Sequence, residues 1–322
     1  MSGCVGGERV IPKAELHVHL EGTATPALVR RIAARNALPV PDGLLVSDER
    51  FAWTDFLDFL RAYDLAASVI RTAEDYRDIT FAYLRSCAQD GAVYVELIAS
   101  PDHADAAGLS DAEHFGAIAR GIDEAREAFG IEARILVTAI RDLGPARVTA
   151  IAERAAARPH PYVVGFNLSG DEAGFPPARF AQAYAVAAGA GLGCSVHAGE
   201  WSGAASVREA LELPVTRISH GVRAVEDPGV VAEIAARGIV LEVCPTSNVA
   251  LGVYPSYEEH PLPALLEAGV AVTLGSDDPP WFGATLGGEY AIARGRMGLG
   301  EDALLAITRT ALGAAFDPAA RR

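Results

Sequence analysis

Pro12-Lys13-Ala14-Glu15-Leu16-His17-Val18-His19-Leu20-Glu21-Gly22 is the stretch on which the reading of this chain turns. Glu15 to Leu20 reads as a short strand, and on a strand residues two apart point to one face. His17 and His19 can therefore bring two imidazoles to one point, as a metal site requires. An ordinary strand with two hydrogen-bonded histidines would show the same spacing. The remainder of the chain decides between the two.

Outward from this stretch, β-rich runs alternate with Ala-rich helical ones. Further strands are expected at Ala92 to Ile98, Ala133 to Ile140, Tyr162 to Leu168, Gly193 to His197, Thr216 to His220, Ile239 to Cys244 and Val270 to Gly275. Helices are expected over Pro26 to Asn36, Thr72 to Asp90, Asp111 to Phe129, Pro145 to Ala157, Pro177 to Gly189, Ser206 to Leu211, Pro228 to Arg237 and Pro261 to Ala268. Eight strand–helix units without a linker or internal repeat point to an α/β fold, a (β/α)8 TIM barrel, forming one domain over residues 1–322. A doubly wound open sheet would show a Gly-rich phosphate turn after an early strand, and none is visible. Phe51 to Ala66 concentrates aromatic and apolar residues at helical spacing. It reads equally as core packing or as a lid over an apolar pocket.

The formal net charge of -15 over 322 residues argues against nucleic acid or an anionic membrane as partner, because phosphate binding needs a basic footprint. A small molecule is the expected partner; oligomeric state is not legible. Cys4, Cys87, Cys194 and Cys244 show no paired spacing, so neither a zinc knuckle nor a redox motif is supported. No run approaches the ~18 apolar residues of a membrane helix, and Met1 to Val10 lacks a signal-like pattern. The expectation is a soluble cytoplasmic protein.

In such a barrel the active site lies at the C-terminal strand ends. His17 and His19 end the first unit, His197 and Glu200 the fifth, His220 the sixth, and Asp277 with Asp278 the eighth. The other histidines, His103, His114, His160 and His260, read as solvated side chains. Three imidazoles and one carboxylate, His17, His19, His197 and Asp277, suit one Zn²⁺ with a position left open for water. Such an ion lowers the pKa of its water towards ~7. Glu200, on the turn beyond the fifth strand and raised in pKa by partial burial, reads as a proton donor. His220 reads as acceptor of the water proton, or as a charge that holds hydroxide. Asp278 reads as a hydrogen-bond partner for a heterocycle. Gly170 offers a backbone N–H where the missing side chain lets a planar ring approach.

The stretches PKAELHVHLEGT (12–23), LSGDE (168–172), SVHAGE (195–200), RISHGVRA (217–224), LEVCPTSN (241–248) and LGSDDPPWF (274–282) together resemble the adenosine deaminase family of metal-dependent aminohydrolases. The resemblance implies a (β/α)8 barrel, one Zn²⁺, and hydrolytic loss of a purine 6-amino group as ammonia. It implies His17, His19, His197 and Asp277 as metal ligands, and Glu200, His220 and Asp277 as catalytic. Glu200 would protonate ring N1 and His220 take the water proton. Asp278 would meet N7, the Gly170 N–H would meet N3, and His19 and Glu21 would border the substrate.

This chain departs from the family's adenosine-specific members at four places. Glu21 stands where they often carry a ribose-contacting Asp, Ser219-His220-Gly221 where they read Gly-His-Gly, and Asn167 and Ser169 where Asp and Ala are common. The Glu21 form resembles branches acting on adenine or aminodeoxyfutalosine, whereas Pro280 to Leu286 resembles the nucleoside deaminases. The expected substrate is a nucleoside, adenosine or deoxyadenosine giving inosine or deoxyinosine, with adenine and aminodeoxyfutalosine as alternatives. A mononuclear hydrolase of an ester or cyclic amide is the reading of another class. The middle strand ends lack the lysine of two-metal sites. A barrel that had lost catalysis would lack a ligand, acid or base, and none is missing.

Overall fold

Strands β1 (Lys13–His19), β2 (Ala92–Ala99), β3 (Glu132–Ile140), β4 (Val163–Ser169), β5 (Gly193–Ala198), β6 (Arg217–His220), β7 (Val240–Val243) and β8 (Ala271–Leu274) lie parallel in the order of the sequence. The structure, a computed structural model, describes residues 11–321, so Cys4 and the stretch before Ile11 lie outside the described residues. The sheet curls until β8 meets β1. Asp277 N–H donates to the His17 carbonyl at 3.2 Å and His19 N–H to the Asp277 carbonyl at 3.0 Å. The fold is a (β/α)8 barrel. The strands read as near-continuous apolar runs because helices cover them outside while the barrel buries them inside; β2 exposes only Val93.

The expected strands and helices are present, with instructive differences. The helix expected from Pro177 is a 3-10 turn, Pro177–Phe180, followed by an α-helix over Ala181–Gly189. In the aromatic segment Phe51 pairs with Leu45 as an isolated bridge, and the helix begins at Phe56. Asp55 sets that boundary, its carboxylate accepting the Asp58 N–H at 3.0 Å. Short helices Pro101–Ala107 and Pro245–Ala250 follow β2 and β7, each opened by a proline whose missing N–H costs nothing at that position. After β8 the chain adds helices Leu286–Gly295 and Glu301–Ala314. The second packs at the N-terminal end of the barrel, where Ala311 and Ala315 meet Leu16 and Tyr94.

Two features of the barrel interior shape the site. The β1–β2 register shifts between Glu15 and Val18, so Leu16 and His17 stand opposite the single residue Glu96. This bulge re-aims His17 towards the barrel centre. Below the site the interior is ionic where branched aliphatics are usual. Arg217 lies between Glu96 (2.7 Å) and Glu242 (2.6 Å) with its guanidinium 3.5 Å from the centre of the Phe316 ring. All three charged residues are fully buried, so each depends on the others for its solvation. Among the described residues, no helix is long and apolar enough to cross a membrane.

Candidate active site

The ends of β1, β5 and β8 bring His17, His19, His197 and Asp277 together, with one donor atom from each lying within 4.8 Å of all the others. Contacts at Nδ1 decide which nitrogen the His197 and His17 rings offer. His197 Nδ1 lies 3.0 Å from both the Asn167 side-chain oxygen and the Leu168 carbonyl, acceptors that require an N–H there. Its Nε2 is left with a lone pair. His17 Nδ1 faces the Glu242 carbonyl at 3.4 Å, and its buried Nε2 lies 3.2 Å from Asp277 Oδ1. His19 Nε2 and His197 Nε2 face each other at 3.2 Å. Imidazole nitrogens converging with a carboxylate, the outer nitrogens of His17 and His197 held by acceptors, are the arrangement of a metal centre. Burial lowers the pKa of His197 and His19, which favours the neutral, ligating form. Burial alone would raise the Asp277 pKa, but His17 and His19 outweigh it and hold the carboxyl ionised. The donor set fits Zn²⁺. Asp277 adopts φ +61°, a left-handed conformation uncommon outside glycine, and the β1 hydrogen bonds on either side of it hold it there.

Glu200 sits on the turn after β5, and a buried residue from another strand end builds that turn. The Glu172 carboxylate accepts the backbone N–H groups of Gly199 (2.5 Å), Glu200 (3.2 Å), Trp201 (2.8 Å) and Ser202 (3.0 Å), plus the Ser206 hydroxyl (2.5 Å). Arg141, fully buried, donates to the His197 carbonyl at 2.6 Å and pins the end of the same strand. Burial first, and then the charge of Asp277, push the Glu200 carboxyl well above its ordinary range. It is set up to hold a proton at neutral pH. Neither Glu172 nor Arg141 was expected to matter from sequence. LSGDE was visible as a motif, but nothing local says that its last residue reaches across to β5.

His220 Nε2 lies 3.6 Å from Glu200 Oε2 and 3.8 Å from Asp277 Oδ2, its ring buried and its pKa pushed down to about 3 by burial. A cavity of ≈ 230 Å³ opens above these groups. Glu200, His220, Asp277 and Asp278 line its polar end, and Phe56, Phe59, Leu60 and Ile140 its apolar side. Asp278 Oδ1 is buried without a partner, and burial, then the Asp277 and Glu200 charges, raise its pKa well above the usual range. Its carboxyl fits only because Gly22 has no side chain; a Cβ there would run into Asp278 Oδ1 and the Tyr63 ring. Gly170, at φ +108°, lines the cavity beside Asp142.

The aromatic segment contributes both to the core and to the cavity wall. Phe51 stacks on Trp281 at 3.9 Å as core, while Phe56, Phe59, Leu60 and Tyr63 wall the cavity. The Phe56 ring packs 4.6 Å from Trp201, beside Glu200. Glu21 is buried and accepts the Ser100 N–H at 3.1 Å, and Ser100 forms the cavity wall at that point. The expectation of four solvated histidines is corrected. His114 and His260 are buried, His103 lines the cavity beside Tyr63 and bonds Asp64 at 3.0 Å, and His160 is half-buried. Helix periodicity hides this, because His114 faces inward onto the Tyr76 ring at 4.4 Å.

Curated relatives and solved structures match the chain over nearly its whole length. An adenine deaminase of Chelativorans sp. (strain BNC1) is 48% identical over 305 residues, covering 94% of this chain and 93% of that protein. One of Sinorhizobium medicae (strain WSM419) is 47% identical, covering 95% and 94%. The crystal structure of an adenine deaminase from Arthrobacter aurescens superposes with a TM-score of 0.89 at 31% identity, over 96% of this chain and 95% of that one. An amidohydrolase from Burkhoderia ambifaria, solved with bound Zn, superposes with a TM-score of 0.87 at 26% identity, over 97% and 88%. The adenosine deaminase family pattern matches residues 12–322, and the chain belongs to the adenosine deaminase family.

Proposed function

We propose that the protein is a mononuclear zinc-dependent adenine deaminase, converting adenine and water to hypoxanthine and ammonia. The observation that supports the free base over the expected nucleoside is the full-length likeness to adenine deaminases. The cavity's ≈ 230 Å³ exceeds the ~150 Å³ that takes up one benzene ring, so a bicyclic base fits within it. Glu21, the residue that would meet a ribose, is turned to the Ser100 N–H instead. The names of the relatives agree with this reading.

Zn²⁺ held by His17, His19, His197 and Asp277 would supply Lewis-acid activation of a water at neutral pH. The protein's own groups do the rest. Glu200, protonated by virtue of its burial, gives its proton to ring N1. That withdraws electrons from C6 and opens it to water. Asp278, also held protonated, offers an O–H to the N7 lone pair. The Gly170 N–H faces N3, and Phe56, Phe59 and Leu60 keep bulk water from the ring. Of the attacking water's two protons, one goes to the 6-amino group, which leaves as ammonia, and the other restores the Glu200 carboxyl, leaving C6 as the carbonyl of hypoxanthine. Positioning and fixed charge supply most of the acceleration.

The test is ammonia release by protein carrying one Zn²⁺ per chain, with adenine, adenosine, 2′-deoxyadenosine and aminodeoxyfutalosine side by side. Adenine is expected to lead in kcat/KM by ~10²-fold or more. Turnover of a nucleoside as good as that of adenine would overturn the assignment.

A further inference from the structure

His220 is one end of a buried chain of hydrogen bonds that leaves the reaction site. Its Nδ1 lies 3.2 Å from the Asn248 amide nitrogen, and the Asn248 side-chain oxygen lies 3.1 Å from His260 Nε2. His260 Nδ1 in turn receives the Leu262 backbone N–H at 3.2 Å. All three side chains are buried, so none can trade these partners for bulk water.

The far end fixes every proton in the chain. A backbone N–H can only donate, so His260 Nδ1 is an acceptor and carries no hydrogen. A neutral imidazole then carries its hydrogen on Nε2, and burial keeps His260 neutral, with a pKa near 3. His260 Nε2–H must find an acceptor, which orients Asn248 with its oxygen towards His260. The amide NH₂ is thereby turned to His220 and donates to its Nδ1. The remaining hydrogen of His220 must sit on Nε2, the nitrogen on the side of Glu200 and Asp277. Asp277, held ionised, is the negative charge on that side of the ring. His220 also adopts φ +62°, a backbone conformation non-glycine residues rarely take.

We infer that Asn248 and His260 are positioning residues that lock His220 in its Nε2–H tautomer, so that His220 presents a proton rather than a lone pair to the reacting atoms. Its part in the reaction, which rests on the deaminase reading above, is to donate a hydrogen bond and orient the attacking oxygen. It does not extract that oxygen's proton. A basic Nε2 would need the Asn248 amide turned over, and His260 has no lone pair left to meet an NH₂.

The ring tautomer can be read without any substrate. In the zinc-loaded protein labelled with ¹⁵N-histidine, two-bond proton–nitrogen correlations assign the His220 ring, identified by its loss in H220Q. The expected result is an unprotonated Nδ1 and a protonated Nε2. In N248D the isosteric carboxylate accepts where the amide donated, and is expected to draw the ring hydrogen to Nδ1. With adenine as substrate, kcat of N248D should then fall ~10²-fold while KM and zinc content stay within ~3-fold. A wild-type His220 protonated at Nδ1, or at both nitrogens, overturns the inference whether or not N248D folds. So does a tautomer that N248D leaves unchanged. Failure of adenine turnover in the wild type with the expected tautomer in place would count against the substrate and not against the relay.

Discussion

Glu200 and Asn167 show how differently two buried polar residues act on one site. Glu200 touches no zinc ligand through a hydrogen bond, and its worth lies in the proton that burial lets it hold. Glu200→Gln should bind one zinc per chain and unfold at the same temperature as the parent, yet lose ~10³-fold or more in kcat on adenine. Asn167 holds no reacting atom, but its side-chain oxygen lies 3.0 Å from His197 Nδ1 and also accepts the Ser169 hydroxyl at 3.1 Å. Asn167→Ala frees the His197 ring and should weaken zinc binding ~10–100-fold in a chelator competition. The candidate ligands were legible in sequence because histidines two apart on a strand, and acidic residues at a strand end, are local patterns. Glu172, Arg141, Asn248 and His260 were not, since each acts on a neighbour 28 to 56 residues away or through such a neighbour. No window of sequence contains both partners.

The helix Phe56–Ala67 belongs to the scale of elements. Its sequence is apolar on more than one face, which is why periodicity left core and lid both open. Phe59 is buried at 4% exposure while Leu60 and Tyr63 are partly open, so one helix serves both. Leu60 lines the cavity without bearing the barrel's weight. Leu60→Ala should therefore raise KM for adenine by about an order of magnitude through lost apolar contact, with kcat within about twofold and stability little changed. Steady-state kinetics and thermal unfolding separate these effects. A drop in kcat alone would show that the helix aligns Glu200 through the Phe56–Trp201 contact.

At the scale of the whole molecule, the barrel tolerates an unusual load of buried charge. Glu289, on a helix beyond β8, is fully buried, and burial pushes its carboxyl up to about 8, the Thr246 N–H at 3.2 Å offsetting only part of this. The folded state therefore favours the protonated acid over the ~4.3 of an unfolded chain. Its contribution to stability is complete below that unfolded value and is lost as pH rises through about 8. Wild type should lose thermal stability between about pH 5 and pH 9, and Glu289→Gln should flatten that fall by ~2–4 °C for each kcal/mol recovered. Thermal unfolding of the zinc-loaded proteins across that range is the measurement; parallel curves would remove Glu289 as the cause. Glu96, Arg217 and Glu242 pose the opposite case, since each neutralises another. Arg217→Ala leaves two carboxylates facing a dry interior and should cost ~3–5 kcal/mol in a denaturant titration.

Sequence by itself determined the barrel, through eight alternations of apolar run and helical stretch, and it singled out the candidate metal donors that the barrel brings together, because strand geometry places residues two apart on one face. Both are properties of short range, and backbone periodicity reads them out. Only the tertiary structure decided the rest. It decided that Leu16 and His17 share a bulge, that Glu172 gathers four backbone N–H groups into the Glu200 turn, and that His260 dictates the tautomer of His220. It also paired the buried Glu21 with the Ser100 N–H at the cavity wall. The physical reason is common to all of these. A buried polar group must find its partner wherever the fold places one, and that place is set by barrel closure, not by neighbours in the chain.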